Sequence, residues 1–499
     1  MKTLIITEKP SVAQAIAAVV GAITRKDGYF EGNGYVVGWC LGHLAQLVNA
    51  EAYDPRLSRW RVSDLPILPH DWRYRVPQEK RKQFGILRGL MLRDDVSQVI
   101  NACDAGREGE LIFRNLYELT GCTKPTLRLW LNSMEEAEIR RALADLRPGS
   151  DYDRLFAAAR CRERADWLVG INATRLLSVT YHRTLNTGRV VSPTLALLTR
   201  READIAGFVP EAFYTAQLHL GEFSAESKWF SNRAEAEEAV VSAGGKCVVT
   251  AVSTKEKSEN APAHFTEGTL LTAMENAGDT PDEAERKGLG TPATRAGIIE
   301  KLVAAGFIER KEAKKNVSLI PTQTGAALTA VLPEQLASAE LTSEREQKLI
   351  QVERGELAPE AFMAGIEGMV RELCGSYTPK FASPQFPTNG EVIGKCPRCG
   401  CNVVTGKKGY FCESSVCRFA LWTDNKFLAA KRIRLSKSQA AQLLRDGRIH
   451  IDEVYSAKHD AYYPADLILK DDGERVIYWL DFGRKEAVAT YANRDIIIS

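Results

Sequence analysis

The sequence predicts a multidomain α/β plus α protein. It has an N-terminal parallel sheet with helices, a helical domain with a winged-helix-like unit, a partial β domain and a C-terminal zinc ribbon. Three observations carry this. Two short β-branched apolar runs, Met1–Thr7 and Val96–Ala102, each give way to helical spacing, the rhythm of buried parallel strands. From residue 151 the chain turns helical and rich in arginine. Four cysteines stand in two close pairs, Cys396 with Cys399 and Cys412 with Cys417, the spacing of a tetrahedral Cys₄ Zn²⁺ site.

The 499 residues suffice for several domains, and 44% apolar with 26% charged residues is ordinary for a globular chain. No apolar run approaches the roughly 20 residues of a membrane span. Lys2 leads into a short strand rather than a signal peptide, so a cytoplasmic location and no membrane association are expected. Seven cysteines (Cys40, Cys103, Cys122, Cys161, Cys247, Cys374 and Cys401) are scattered as reduced thiols would be. Net charge is only +2, but Arg154 to Arg201 holds nine arginines, no lysine and two acids, a local balance of +7. Arginine without lysine suggests directed contacts to phosphate oxygens, and the alternative is a solvated helix face.

Taken in order, residues 1–150 alternate strand and helix. Helical spacing over Val12–Val20 and Glu110–Leu119 follows the two strands. Glu8, Asp104 and Glu108 then fall at the carboxyl edge of one sheet, where open sheets bind ligands. Grouped carboxylate oxygens suit Mg²⁺, and the alternative is solvated caps. Lys9 and Arg107 beside them suit a phosphodiester. Residues 151–212 and 263–374 read as a helical domain. Within it Gly188–Thr194 is a glycine turn before a Pro-started helix. Arg160, Arg162, Arg164 and Arg189 are the arginines expected to meet backbone phosphates. Residues 213–262 change to β alternation, with strands expected at Phe213–Leu220 and Gly245–Ser253.

Thr291 and Pro292 open a helix expected to run to Ala305, with Gly306 ending it. Such a start presents free N–H groups to a phosphate, and Thr291, Thr294 and Arg295 lie within reach; an ordinary capped helix is the competing reading. Phe307–Arg310 and Leu319–Thr322 suit a winged-helix hairpin. Residues 375–394 read as a linker, 395–427 as the ribbon and 428–499 as a small α/β tail. Cys401 lies too close to Cys399 to add a ligand. Tyr410, Phe411, Phe419 and Trp422 suit either base stacking or packing of the ribbon.

The acidic segments, Glu8-Lys9-Pro10-Ser11 and Asp104 to Glu110, together resemble a Toprim domain. One departure is Gly106, which stands where the usual pattern has a second Asp; this implies fewer ligands and a loosely held, partly hydrated Mg²⁺. With Gly42-His43-Leu44, Ala165–Ala173, Gly188–Thr194, Phe265–Leu271, Gly288–Arg295 and the Cys₄ ribbon, the chain resembles type IA DNA topoisomerases of the bacterial topoisomerase III group. The resemblance implies an isomerase acting on single-stranded regions of DNA. In it Glu8 matches an acid that helps transfer a proton at the scissile phosphate. Lys9 matches a phosphate-positioning lysine, Asp104 and Glu108 match Mg²⁺ ligands, and Arg295 matches a DNA-backbone contact. It also implies a monomer near the nucleoid, with a RecQ-type helicase or a single-strand binding protein as partners. The family cleaves DNA with a tyrosine in a gate domain lying between the strand-rich segment and Phe265-Thr266-Glu267-Gly268-Thr269. Here Ser258–Pro262 runs straight into that segment, and none of the fifteen tyrosines stands in the expected motif. The resemblance thus implies a chain that binds DNA without relaxing it. A single-stranded-DNA-binding regulator, and a Toprim metal-dependent nuclease or primase, are the alternatives.

Overall fold

A computed structural model describes residues 1–220, 223–242, 251–258, 260–277, 288–313, 316–379, 390–414, 417–423, 425–473 and 475–482. Among these the chain divides into two compact units. The first comprises residues 1–150, 163–187 and 363–499, and the second residues 151–162 and 188–362.

The N-terminal part of the first unit is a seven-stranded sheet. Its strands are β1 (Lys2–Thr7), β2 (Thr24–Lys26), β3 (Tyr29–Gly32), β4 (Tyr35–Trp39), β7 (Val96–Ala102), β8 (Thr126–Arg128) and β9 (Arg147–Pro148), in the order β2-β3-β4-β1-β7-β8-β9. A separate ribbon pairs β5 (Gln46–Leu47) with β6 (Tyr74–Arg75). The central strands β4, β1, β7 and β8 run parallel, and the outer pairings are antiparallel. Period-2 alternation along β1 sends Leu4 and Ile6 to one core and Ile5 to the other. The first core is closed by α2 (Arg81–Met91) and α3 (Arg107–Thr120), through Leu87, Met91, Ile112 and Phe113. The second is closed by α1 (Pro10–Val20) and α4 (Glu136–Ala144), through Ile16 and Ile139. This is the doubly covered parallel sheet that the sequence predicts. Helix α3 starts three residues before the expected Glu110, which places Glu108 in its first turn.

Helix α5 (Asp153–Thr180) contributes its first ten residues to the second unit. In the second unit α6 (Val191–Ala206) packs against α9 (Pro292–Ala304), α10 (Gln323–Val331) and α12 (Ala339–Arg354). The predicted hairpin is present as β13 (Ile308–Ala313) paired antiparallel with β14 (Asn316–Pro321). The partial β domain is a three-stranded antiparallel sheet of β10 (Ala212–Leu220), β11 (Phe223–Glu226) and β12 (Ala251–Ser258). Of the strand expected over Gly245–Ser253, residues 251–253 lie in β12, which continues to Ser258, and its 245–250 part falls outside the described residues. From β12 the chain passes directly to α8 (Glu267–Glu275), capped by Thr266.

Helix α13 (Pro359–Ser376) runs into the start of the expected linker, whose residues 380–389 lie outside the described ones. The ribbon strands β15 (Val392–Lys395), β16 (Asn402–Gly406), β17 (Gly409–Cys412) and β18 (Ala420–Trp422) form a meander. The tail adds α15 (Lys437–Asp446) and a sheet of β19 (Arg448–Ser456), β20 (Ala461–Asp471) and β21 (Val476–Asp481). Ribbon and tail bury one shared core, with Tyr410 and Phe419 packed alongside Leu443, Leu467 and Tyr478. So Tyr410 and Phe419 are packing residues, whereas Trp422 is exposed and meets Phe411 edge-on at 5.0 Å. No helix among the described residues is long and apolar enough to cross a membrane.

Candidate active site and zinc site

The carboxyl ends of β1 and β7 are brought side by side by their parallel register, Thr7 opposite Ala102. Glu8 therefore follows one strand end and Asp104 the other. Lys9 Nζ joins them, 2.8 Å from Asp104 Oδ2 and 3.6 Å from Glu8 Oε1. Burial, then the Asp104 charge, pushes the Glu8 carboxyl above its ordinary range, and Lys9 and His43 only partly offset this. The hydrogen bond to Asp104 raises Lys9, which stays charged. An open cleft of about 470 Å³ beside this group is lined by Lys9, Asp104, Val12, Leu131, Asn132 and Met134.

The loop carrying Asp104 is held from beneath. Arg128, buried at the end of β8, donates from Nη1 to the carbonyls of Asn101 (3.1 Å), Cys103 (2.8 Å) and Leu129 (3.1 Å), and from Nη2 to that of Asp104 (2.8 Å). Its Nε lies 3.3 Å from Glu110 Oε2. Glu110 also accepts from Arg114 Nε (2.9 Å) and Asn101 Nδ2 (2.8 Å). A Cβ on Gly109 would lie 2.1 Å from the Asp104 carbonyl oxygen, so α3 reaches this close to the loop only because residue 109 has no side chain.

Glu108 takes a different partner: His43 Nε2 stands 2.7 Å from its Oε1. Burial works against the imidazolium, but the Glu108 hydrogen bond and charge, with Glu163 and Glu8 nearby, raise His43 above its ordinary value. Glu163 on α5 is itself pushed up by burial, although Tyr74 donates its hydroxyl proton to it at 2.7 Å. Arg107, the first residue of α3, is buried at this edge.

The three carboxylates stand at one sheet edge but are not drawn together: Lys9 lies between Glu8 and Asp104, and His43 holds Glu108, so the acids do not form a closed cage. That fits an ion which keeps several waters and takes one or two carboxylates plus substrate phosphate. Glu8, Asp104 and Glu108 are the residues that would hold it.

The expected DNA-binding residues are dispersed. Arg164 lies over the Trp72 ring (5.2 Å) and Arg160 over Phe156 (4.8 Å). In the second unit Arg189 and Arg162 are buried and both turn to the buried Glu346 carboxylate, at 2.7 and 4.0 Å. At the start of α9 the Thr291 N–H donates to Thr294 Oγ1 (2.9 Å), and the two hydroxyls are 3.0 Å apart. Arg295 folds inward, donating to the Leu289 carbonyl (3.3 Å) and pairing with Glu275 (3.3 Å).

The four ribbon cysteines converge. Their sulfurs lie within 4.8 Å of one another, with Cys396 to Cys417 at 3.6 Å and Cys399 to Cys412 at 3.5 Å. Zn–S bonds of about 2.3 Å in a tetrahedron place sulfurs roughly 3.8 Å apart, so the thiols fit Zn²⁺ with little movement. Among the described residues this is the one group gathered tightly enough for a metal, and Cys401 is outside it.

Sequence reasoning missed Arg128, Glu163, Tyr74 and any role for His43. Arg128 reads as a charge ending a short strand, and Glu163 as one of two acids in a basic helix. Only the His43 motif carried a signal, Gly42 in a left-handed turn (φ 63°) just before it.

A Toprim domain model matches residues 3–134, and a DNA topoisomerase model matches residues 150–264 and 232–364. The chain is 42% identical over 213 residues to DNA topoisomerase 3 of Bacillus thuringiensis (strain Al Hakam), a match covering 43% of this chain and 29% of that protein. It is 40% identical over 263 residues to DNA topoisomerase 3 of Staphylococcus aureus (strain MRSA252), covering 52% of this chain and 37% of that protein. The matched part thus spans well under half the length of these relatives. The fold is also similar to that of full-length topoisomerase I from Thermotoga maritima, with a TM-score of 0.54 and 15% identity, over 85% of this chain and 98% of that one.

Proposed function

We propose, from the premise that this chain belongs to the type IA DNA topoisomerase family and is topoisomerase III-like, that it binds single-stranded regions of DNA and neither cleaves nor relaxes them. The convergence of Glu8, Lys9 and Asp104 on one sheet edge is the observation that carries the DNA reading. Lys9 would hold a backbone phosphate there. The Glu8 carboxyl, raised by burial, would hold a proton at the phosphate oxygen. Mg²⁺ held by Asp104 and Glu108, joined by Glu8 only when that carboxyl is ionised, would neutralise phosphate charge. Arg160, Arg162, Arg164, Arg189 and Arg295, with Thr291 and Thr294, would supply the backbone contacts, the buried arginines after leaving their carboxylate partners. Its expected setting is the bacterial cytoplasm, as a monomer.

The absence of strand cleavage follows from the missing nucleophile. In the sequence Ser258–Pro262 runs straight on to Phe265-Thr266, with no tyrosine motif between them, where the family's tyrosine domain would be expected. Tyr181, in the stretch most like the missing motif, is hydrogen-bonded to the Tyr377 hydroxyl at 2.9 Å. Without an aligned oxygen nucleophile no covalent intermediate forms. The test is incubation with a single-stranded oligonucleotide and Mg²⁺, read on a denaturing gel, beside relaxation of negatively supercoiled DNA. Binding with no adduct and no relaxation is expected. An adduct mapped to any tyrosine overturns the reading, and scission without an adduct favours the Toprim nuclease.

A further inference from the structure

We infer that the open cleft beside Lys9 and Asp104 is a pocket for one unpaired DNA base, whose pairing edge Asn132 contacts. The inference rests on the reading that Lys9 takes a backbone phosphate. The cleft measures about 470 Å³, within the range of small-ligand sites. Val12 and Leu131, both buried, give it an apolar wall. Met134, 46% exposed, adds a thioether that adapts to a flat ring. Lys9, Asp104 and Asn132 bring the polar groups.

Two of these groups keep hydrogen-bonding capacity. An ammonium carries three donors. Lys9 Nζ gives one to Asp104 Oδ2 at 2.8 Å, with Glu8 Oε1 at 3.6 Å, and has no further acceptor among the described residues. A phosphate oxygen would take the donor left over. The Asn132 amide likewise has no side-chain partner among the described residues, although its backbone is held. Its N–H donates to Glu138, which Arg141 grips at 2.8 and 2.7 Å. Next to it Ser133 Oγ accepts from the Glu135 N–H at 3.2 Å as the chain turns into α4. Helices α1 and α4, on either side of the cleft, share one core through Ile16 and Ile139, so its walls are fixed relative to each other. Each base carries a donor beside an acceptor on its pairing edge, and an amide offers the matching pair. In a duplex that edge is already used, so such a pocket admits single strands only.

Fluorescence anisotropy on the full chain tests this with two strands of equal length, an oligothymidylate and its abasic counterpart, which keeps every phosphate and lacks every base. N132A should weaken the oligothymidylate roughly 5–150-fold, the worth of two hydrogen bonds. The same substitution should cost the abasic strand nothing comparable, so that the loss belongs to the base. N132L, of similar volume and without the amide, should behave as N132A and serves in its place if N132A does not fold. Unchanged oligothymidylate affinity in these variants overturns the inference, and so does an equal loss on both strands. K9A separates the two layers, since it should weaken both strands alike. If K9A weakens neither, the phosphate reading fails and the pocket falls with it. If K9A weakens both while N132A and N132L do not distinguish the strands, only the base pocket falls.

Discussion

Replacing Arg128 with methionine should unfold the N-terminal sheet before anything else in the molecule. The side chain is 1% exposed and ties together the ends of β7 and β8. Methionine keeps much of the volume but removes donors to four carbonyls and the cation 3.3 Å from Glu110. Glu110, also 1% exposed, keeps Arg114 and Asn101, so its charge is only partly abandoned. Removing one member of a buried pair costs about 3–5 kcal/mol, and buried acceptors left without a donor add to it. At roughly 2–4 °C per kcal/mol for a domain of this size, the first thermal transition should fall by about 6–20 °C. Calorimetry gives the shift, and hydrogen exchange at the β1 and β7 amides locates it. R128K keeps the charge but loses the planar fork of donors, and should fall between. E110Q/R128M should recover part of the loss, since it removes the stranded charge. A first transition within about 1 kcal/mol of wild type for R128M would refute the argument, because burial and bonding would then not measure what this arginine does.

Gly109→Ala should displace the Asp104 loop, because the new methyl would meet the Asp104 carbonyl at 2.1 Å; we expect a loss of about 1–3 kcal/mol with weakened Mn²⁺ binding, and normal values for both would count against it. Gly106→Asp should be tolerated and strengthen Mn²⁺ binding, since its Cβ position is open and its backbone extended (φ 163°); a titration showing no gain removes the claim that this glycine costs a ligand. The chain should carry one Zn²⁺, found by elemental analysis of protein purified without chelator, and Cys412→Ser should lose it along with the folding of the shared ribbon and tail core. Affinity for a single-stranded oligonucleotide should fall by about 0.7 log units per log of salt for each phosphate neutralised. Equal affinity after Arg162→Ala and Arg295→Ala together would show that these arginines serve internal contacts and not DNA.

Local pattern was enough for the elements whose burial is periodic. Met1–Thr7, Val96–Ala102, the helix after Thr291 and the hairpin behind it all stand where alternation, helical spacing and capping residues place them, because those signals act over a few residues. The same holds for the cysteines, whose spacing admits little but a shared metal. Pattern fell short where a helix began on charged residues, as at α3. The site was legible in kind, acids and a lysine at two strand ends, but its working arrangement was not. His43 is 65 residues from Glu108, and Arg189 is 157 from Glu346. A sequence gives the charge of an arginine but not the direction it faces. That is decided when burial makes an unpaired charge too costly and the chain brings a distant carboxylate to meet it.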